Sequence, residues 1–418
     1  MRPMCVKKSE RFNFVMFISG RTISVLASSV YTFAVGLYVL RMTGSGLSFA
    51  ITLSLQIVPT VLIGPFAGVL ADKLNKKVIV VLTDAFNGVL FIVLFFASMG
   101  GLTLNAIYVV TLLLSISQTL YNVCIDSAVP DIVSEDNIIT LNSVGKIVDS
   151  AAAIISPSLG GILCAAIDIR FFILLNGIVF ILSTATECCI NFRLYYKPAA
   201  LNVKIDLKQD FIEGIKYIGK TDWIKRLLTN FLIINFFMAL CYSVPIPYIL
   251  NNIFHLSSKA YGIVQCFTPM GMIIGALLVK KITVIISYGK LMTITGILFS
   301  LGMFLFGILP VFNINTSFYV IIPYYGFLLF GCGLIISLID IPFINNFQTQ
   351  VPEGIRGRCL SISISAIKIL TPIGYILSGS LIEIAPAFYL PLCGGILLFS
   401  FYLAINKRVL KAYFDREK

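Results

Sequence analysis

Seven ionisable side chains stand inside stretches that are otherwise apolar: Arg21, Asp84, Lys146, Asp149, Glu187, Asp340 and Lys368. A charge held in hydrocarbon costs roughly 3 kcal/mol or more, so each needs a partner, a wet cavity or a task. Lys146 and Asp149 are three residues apart, which places both on one helical face together with Asn142. Two accounts fit this pair equally. It is a static ion pair, or Asp149 is a carboxylate that takes up and loses a proton as its hydration changes. Asp149 heads the proton-coupling candidates, followed by Lys146, Asp84, Glu187 and Asp340. For Asp84 and Glu187, which lie near segment ends, interfacial snorkelling or loop packing is the favoured account.

Other chemistries find little support. The only His is His255, and the ten Cys lie mostly in apolar runs without zinc-type spacing or a disulfide framework. No metal site or cofactor is expected. Neither a His-Glu-x2-His nor a Gly-x-Ser-x-Gly constellation occurs, so an enzyme is not expected either. A literal phosphate-loop string runs from Gly214 through Gly219-Lys220-Thr221. That motif works only between a strand and a helix; no strand leads into it here, so no nucleotide partner is read from it.

A second polar set follows helical spacing. Arg21, Ser24, Ser28, Tyr31 and Tyr38 form one stripe along the first apolar segment, and lipid would penalise such a stripe, so it is expected to line a cavity. Gln56, Gln118, Asn122, Asn142, Asn235, Tyr242 and Gln265 are further cavity candidates, each also explicable as an interhelical hydrogen bond.

The elements that must carry these residues are membrane helices. Of 418 residues 58% are hydrophobic and only 12% charged, and the mean hydropathy is +0.97, well beyond what a water-soluble core requires. Twelve segments are long enough to cross a bilayer: 12–40, 47–71, 78–98, 103–125, 141–166, 171–192, 227–250, 260–279, 291–310, 317–339, 360–382 and 386–406. The net charge of +12 reads as a topology signal rather than a nucleic-acid footprint. Numbered from a cytoplasmic N-terminus, 25 of the 31 Lys and Arg fall in inside segments and three in outside loops, Arg41, Arg170 and Lys259. Both termini are therefore expected to be cytoplasmic in a cell membrane. The longest polar interval, 193–226, separates an N-terminal bundle, 1–192, from a C-terminal bundle, 227–418. Within it Leu207, Phe211, Ile215 and Ile218 oppose Lys208, Glu213, Lys216 and Lys220, the pattern of a helix lying on the inner membrane surface and meeting lipid.

Between the second and third segments stands Gly68-Val-Leu70-Ala71-Asp72-Lys73-Leu-Asn75-Lys76-Lys77. Gly68 permits close helix approach, Asp72 suits a facing helix N-terminus, and Lys73, Lys76 and Lys77 suit an anionic leaflet. The string resembles the loop 2–3 motif of the major facilitator superfamily, Gly-x-Leu-Ala-Asp-Arg-x-Gly-Arg-Lys, with Asn75 in place of its second glycine. Leu37-Tyr38-Val-Leu-Arg41-Met-Thr43-Gly44-Ser45, Pro130-x4-Glu135, Phe211-Ile-Glu213-Gly214-Ile-Lys-Tyr217 and Gln350-Val-Pro352-Glu353-x2-Arg356-Gly357-Arg358 are similar to the macrolide-efflux and enterobactin-exporter branch. Ala152, Ser156, Pro157, Gly160 and Gly161 resemble the superfamily's exporter motif, and Gly271 and Gly275 offer a partner groove in the eighth segment.

The resemblance implies an all-α membrane protein of two six-helix bundles that alternates access to a substrate cavity. It also implies export of an amphiphilic small molecule in exchange for protons. Relatives carry Gln at the position of Arg21 and an acid near Ser28; this chain lacks that acid, which is why Asp149 is considered in its stead. Uptake or lipid transport on the same fold, a transporter-like receptor and a membrane enzyme are the rivals.

Overall fold

The computed structural model describes residues 2–73, 75–195, 207–312 and 317–414. In several stretches, among them 65–73, 207–210 and 405–414, only the backbone is described. The described residues are helical and contain no strand. In order the helices are α1 (Arg2–Thr43), α2 (Gly46–Lys73), α3 (Lys76–Ser98), α4 (Leu104–Ser127), the short α5 (Val129–Ile132), α6 (Glu135–Ala166), α7 (Ile169–Cys188) and α8 (Leu207–Lys220). They continue with α9 (Asp222–Met238), α10 (Pro245–Tyr248), α11 (Ser258–Gln265), α12 (Phe267–Ile285), α13 (Tyr288–Phe312), α14 (Phe318–Gln350), α15 (Glu353–Lys368), α16 (Thr371–Ile384) and α17 (Tyr389–Phe414). Among the described residues eleven stretches are long and apolar enough to cross a membrane, and the shorter apolar Tyr389–Ala404 supplies a twelfth.

Local chemistry explains the element ends. Asn75 accepts from the Lys77 amide at 3.1 Å and opens α3; Asp168 accepts from the Arg170 amide at 2.8 Å and opens α7. Thr103 and Ser257 cap α4 and α11 in the same way. Pro245 and Pro247 lack amide donors, and the chain around them widens into π turns at Ala239–Ser243 and Ile249–Ile253. One crossing path, Asp222–Ile253, is thus built from four pieces where the hydropathy pattern suggests a single plain helix.

The chain forms two compact units. Unit 1 comprises Met1–Gly36, Leu55–Thr221 and Ser361–Ala366; unit 2 comprises Leu37–Ser54, Asp222–Leu360 and Ile367–Lys418. These boundaries do not coincide with the sequence division at 192 and 227. Within unit 2, Arg41 donates to Asn251 Oδ1 at 3.0 Å and to the Leu256 carbonyl at 2.6 Å, and it also bonds Ser258. Glu383 accepts from Ser45 Oγ and from the Leu47 amide. Those bonds draw the end of α1 and the start of α2 into the second unit.

In unit 1, α3 lies along α7. Gly88 and Gly177 face each other so closely that a Cβ on either would stand 3.2 Å from the other's carbonyl oxygen. Phe91 stacks on Phe180 one turn further on, with centroids 5.6 Å apart. The buried face of α3, Val80, Thr83, Asp84, Asn87, Gly88, Phe91, Leu94 and Ser98, has the three-and-four spacing of a helix packed on one side. In unit 2, α12 lies on α14 and α13 on α17.

Candidate functional site

Of the polar stripe of α1, Arg21, Ser24 and Tyr31 are buried inside unit 1, Ser28 is half-buried there, and Tyr38 falls in unit 2. Arg21 is only 5% exposed, Ser24 not at all, and Tyr31 is enclosed with its ring edge-on to Phe91 at 4.6 Å. Ser28 back-bonds to Ser24 O at 2.9 Å. Tyr38 is half-buried.

Arg21 is the centre of a charged cluster. Its Nε donates to Asp149 Oδ1 at 3.2 Å and its Nη2 to Asp149 Oδ2 at 3.0 Å, a two-pronged grip on one carboxylate. Its Nη1 pairs with Asp126 at the end of α4. Lys146 reaches Asp149 only at 3.6 Å and is 76% exposed. The chief partner of Asp149 is therefore Arg21 on another helix, not the neighbour on its own helix. Spacing along one helix reveals i,i+3 pairs; a pair made across helices leaves no such trace. Asp126 is not among the sequence candidates, because it stands just past the apolar segment 103–125 and nothing in its spacing points to Arg21.

A second acidic group sits deeper. Asp84 on α3 is fully buried and Glu187 on α7 is 1% exposed, so neither snorkels to an interface. Ser24 Oγ donates to Asp84 Oδ1 at 3.0 Å. Ser183, also fully buried, donates to the Gly20 carbonyl at 3.0 Å and ties α7 to α1 beside the acids. Among the described residues no Lys or Arg forms an ion pair with either carboxylate.

At the end of unit 1 where α3 begins, the basic loop residues bind protein groups. Lys76 donates to Asp131 Oδ2 at 2.7 Å and to Ser127 O at 2.9 Å; Lys77 donates to Cys188 O at 2.7 Å and to Ile190 O at 2.9 Å, closing the end of α7. They are thus structural donors rather than free lipid anchors. Glu10 gathers Ser134, Asn137 and Tyr195 around its carboxylate, and Asn13 bridges Ile132 O and Asn191 O. Nothing in the spacing of Glu10 and Asn13 announced that role. The side chains of Asp72 and Lys73, and the surroundings of Gly68, lie outside what is described.

The remaining candidates are dispersed. Gln56 donates weakly to Thr32 O, Asn235 back-bonds to Phe231 O, Tyr242 meets Thr268 Oγ1 at 3.4 Å, and Gln265 donates to Tyr261 OH at 2.8 Å. Asn122 and Asn142 are exposed, while Gln118 is half-buried. Asp340 on α14 has Lys368 as an electrostatic partner. The small residues serve their own units. Gly160 faces Phe33 and Val30 of α1, beside the buried Ala152 and Ser156, with Pro157 half-buried and Gly161 buried. Gly271 and Gly275 lie against the backbone of α14 at Phe330 and Leu334. The string Gly214–Thr221 falls in α8 and the residue after it, so its amides are spent on helical bonds rather than cradling a phosphate.

The model for the family described as Major Facilitator Superfamily matches residues 17–375. Macrolide efflux protein A of Streptococcus pyogenes is 23% identical over 384 residues, covering 88% of this chain and 89% of that protein. Enterobactin exporter EntS of Citrobacter koseri is 26% identical over 346 residues, covering 81% of this chain and 78% of its own. Among solved structures, the nucleoside transporter NupG has a TM-score of 0.69 at 12% identity, covering 96% of this chain and 99% of its own. A bacterial homologue of the iron transporter ferroportin, in an inward-facing state, has a TM-score of 0.67 at 16% identity, covering 94% and 98%. At such identities the structural likeness speaks for the fold alone.

Proposed function

The chain belongs to the Major Facilitator Superfamily, and from that premise we propose that it is a secondary exporter moving an amphiphilic small molecule outward across a cell membrane in exchange for protons. It is a multi-pass transporter rather than an enzyme. The observation that carries the export reading is the similarity, along more than four-fifths of the chain, to two proteins named for efflux and export. Proton exchange is supported by the charge pattern of unit 1, where one group of acids is neutralised by Arg21 and the other has no basic partner among the described residues. Our reading keeps two six-helix halves joined through 193–226, both termini cytoplasmic, and α8 on the inner leaflet, where Ile212 and Ile215 stay exposed to meet lipid.

The test is flux in liposomes of purified protein under an imposed pH gradient, with erythromycin, ethidium, enterobactin and a lysophospholipid as probes. Accumulation of one of the first three against its gradient, abolished when the pH gradient is collapsed, is the expected result. Transport of the lysophospholipid alone, or movement only in the uptake direction, overturns the reading.

A further inference from the structure

Asp84 and Glu187 lie buried among side chains of four helices, α1, α3, α4 and α7. Gly20 and Ser24 come from α1, Asn87 from α3, Tyr121 from α4 and Ser183 from α7, and Ser24, Asn87, Tyr121 and Ser183 are all 0% exposed. The two carboxyl groups act on each other directly, with Tyr121 against Glu187 and Asn87 against Asp84. Outside this cluster Asp84 Oδ2, both Glu187 oxygens, the Tyr121 hydroxyl and both polar atoms of the Asn87 amide find no hydrogen-bond partner. Buried polar atoms are seldom left so, and a cluster of them around two carboxyls marks a site poised to take a ligand.

The ligand must be positive and very small. Two carboxylates cannot both stay ionised at close range in a dry site without a counter-charge. The facing charged and titratable groups are Arg21 on α1, already held by Asp126 and Asp149, Tyr121 on α4, and Cys188 beside Glu187 on α7. None of them supplies a free cation. On the α1 side there is no spare room: a Cβ on Gly20 would stand 2.7 Å from Thr186 Oγ1 and 3.2 Å from Glu187 Cγ, so α1 lies against the Glu187 side chain. A proton needs no such room.

We propose that Asp84 and Glu187 share one exchangeable proton between facing carboxyl oxygens, with Ser24 and Tyr121 as hydrogen-bond donors to the remaining charge, and that this pair is the proton site of the transporter. Binding forms one O–H bond and lowers the charge of the pair from two negatives to one; release returns that proton to water. Asp149, gripped by Arg21, is then the fixed member of the neighbouring cluster. This inference deepens the proton-exchange reading above and rests on it for its role in transport, though proton occupancy itself can be read without any substrate.

The experiment is infrared difference spectroscopy of the full-length protein in liposomes during a pH titration, following the carbonyl stretch of protonated carboxyl groups. We expect a protonated-carboxyl band that persists at neutral pH, where exposed acids are ionised, and that is shifted or lost in both Asp84→Asn and Glu187→Gln, since each removes one of the two oxygens that share the proton. Should either variant fail to fold, wild-type protein carrying carbon-13 carboxyl glutamate, and separately aspartate, provides the same assignment, because a shared proton shifts the band with either label. Absence of the band in wild type, or a band indifferent to both substitutions or both labels, overturns the proposal. Flux then separates the two readings. Loss of pH-driven ethidium accumulation in Glu187→Gln with ethidium exchange retained supports the site as the coupling element; full pH-driven accumulation in that variant overturns it. A protein that shows the band but moves no probe contradicts only the exporter reading.

Discussion

Arg21 carries the clearest energetic asymmetry at the scale of single residues. It is almost fully buried and bonds two carboxylates, whereas Lys146 is mostly solvent-exposed and stands at the edge of contact with one of them. Removing the buried cation leaves Asp126 and Asp149 repelling each other in a partly dry site, a loss of about 2 kcal/mol or more after allowing for their exposure. Removing an exposed lysine from an i,i+3 pair costs no more than about 0.5 kcal/mol. Arg21→Gln should therefore lower the apparent melting temperature of the purified protein markedly while Lys146→Gln leaves it nearly unchanged, as thermal unfolding in detergent would read. Equal losses would mean that Lys146 holds Asp149 as firmly as Arg21 does. The charged residues themselves were legible in the sequence, because a charge within an apolar run stands out. Their partners were not: Arg21 and Asp149 are 128 positions apart and Ser24 and Asp84 are 60 apart, separations that no local pattern encodes. The placing of Asp84 and Glu187 near segment ends suggested an interface, yet four surrounding helices bury them.

The twelve hydropathy segments anticipate the helices well at the scale of elements, since lipid demands both the length and the apolar composition that such a window detects. The helices run longer than those segments where polar turns continue them, as at Glu135 in α6 and beyond Ile339 in α14. The π turns around Pro245 stayed hidden, because widened turns depend on packing as well as on composition. Small-residue grooves were legible as grooves, but not their occupants; the Gly271 and Gly275 face meets α14, where Gly333 answers it from the other side. Two substitutions separate packing from propensity. Gly177→Val inserts bulk where Gly88 O, Phe91 and Ile92 already lie within about 3.3 Å, and overpacking of this kind costs about 1–3 kcal/mol. It should also part α3 from α7 and so disturb Asp84 and Glu187, seen as a lower melting temperature together with a weakened protonated-carboxyl band. Gly219→Ala meets nothing within 4 Å and removes a helix-weakening residue from α8. That variant should gain up to about 1 kcal/mol of local helix stability and transport as wild type. Loss of transport in Gly219→Ala would instead give weight to the phosphate-loop string.

The distribution of charge bears on orientation at the scale of the whole molecule. The basic residues cluster in alternate connections between helices: 25 of the 31 Lys and Arg fall on the side of the N-terminus and only three on the other. Positive residues close to helix ends resist translocation, so the arrangement with the N-terminus inside is strongly favoured over its inverse. By the same rule 193–226, which alone holds eight basic residues, is expected on the cytoplasmic side. Some of those charges also act within the fold. Lys76 and Lys77 bind Asp131 and the end of α7, so their count as topology signals and their role as structural donors coincide at one end of unit 1. That coincidence has an energetic consequence, because inverting the chain would carry across the bilayer not isolated lysines but the ends of α3, α4 and α7 that they tie together. Single cysteines at Lys204 and at Asn315, each in a cysteine-free background, test the orientation with an impermeant maleimide applied to intact cells. Labelling at Asn315 and none at Lys204 until the membrane is opened is the expected outcome. The reverse pattern would require eight positive charges of one interval to lie outside, and with them the pathway by which protons and substrate are proposed to exchange would have to run in the opposite direction.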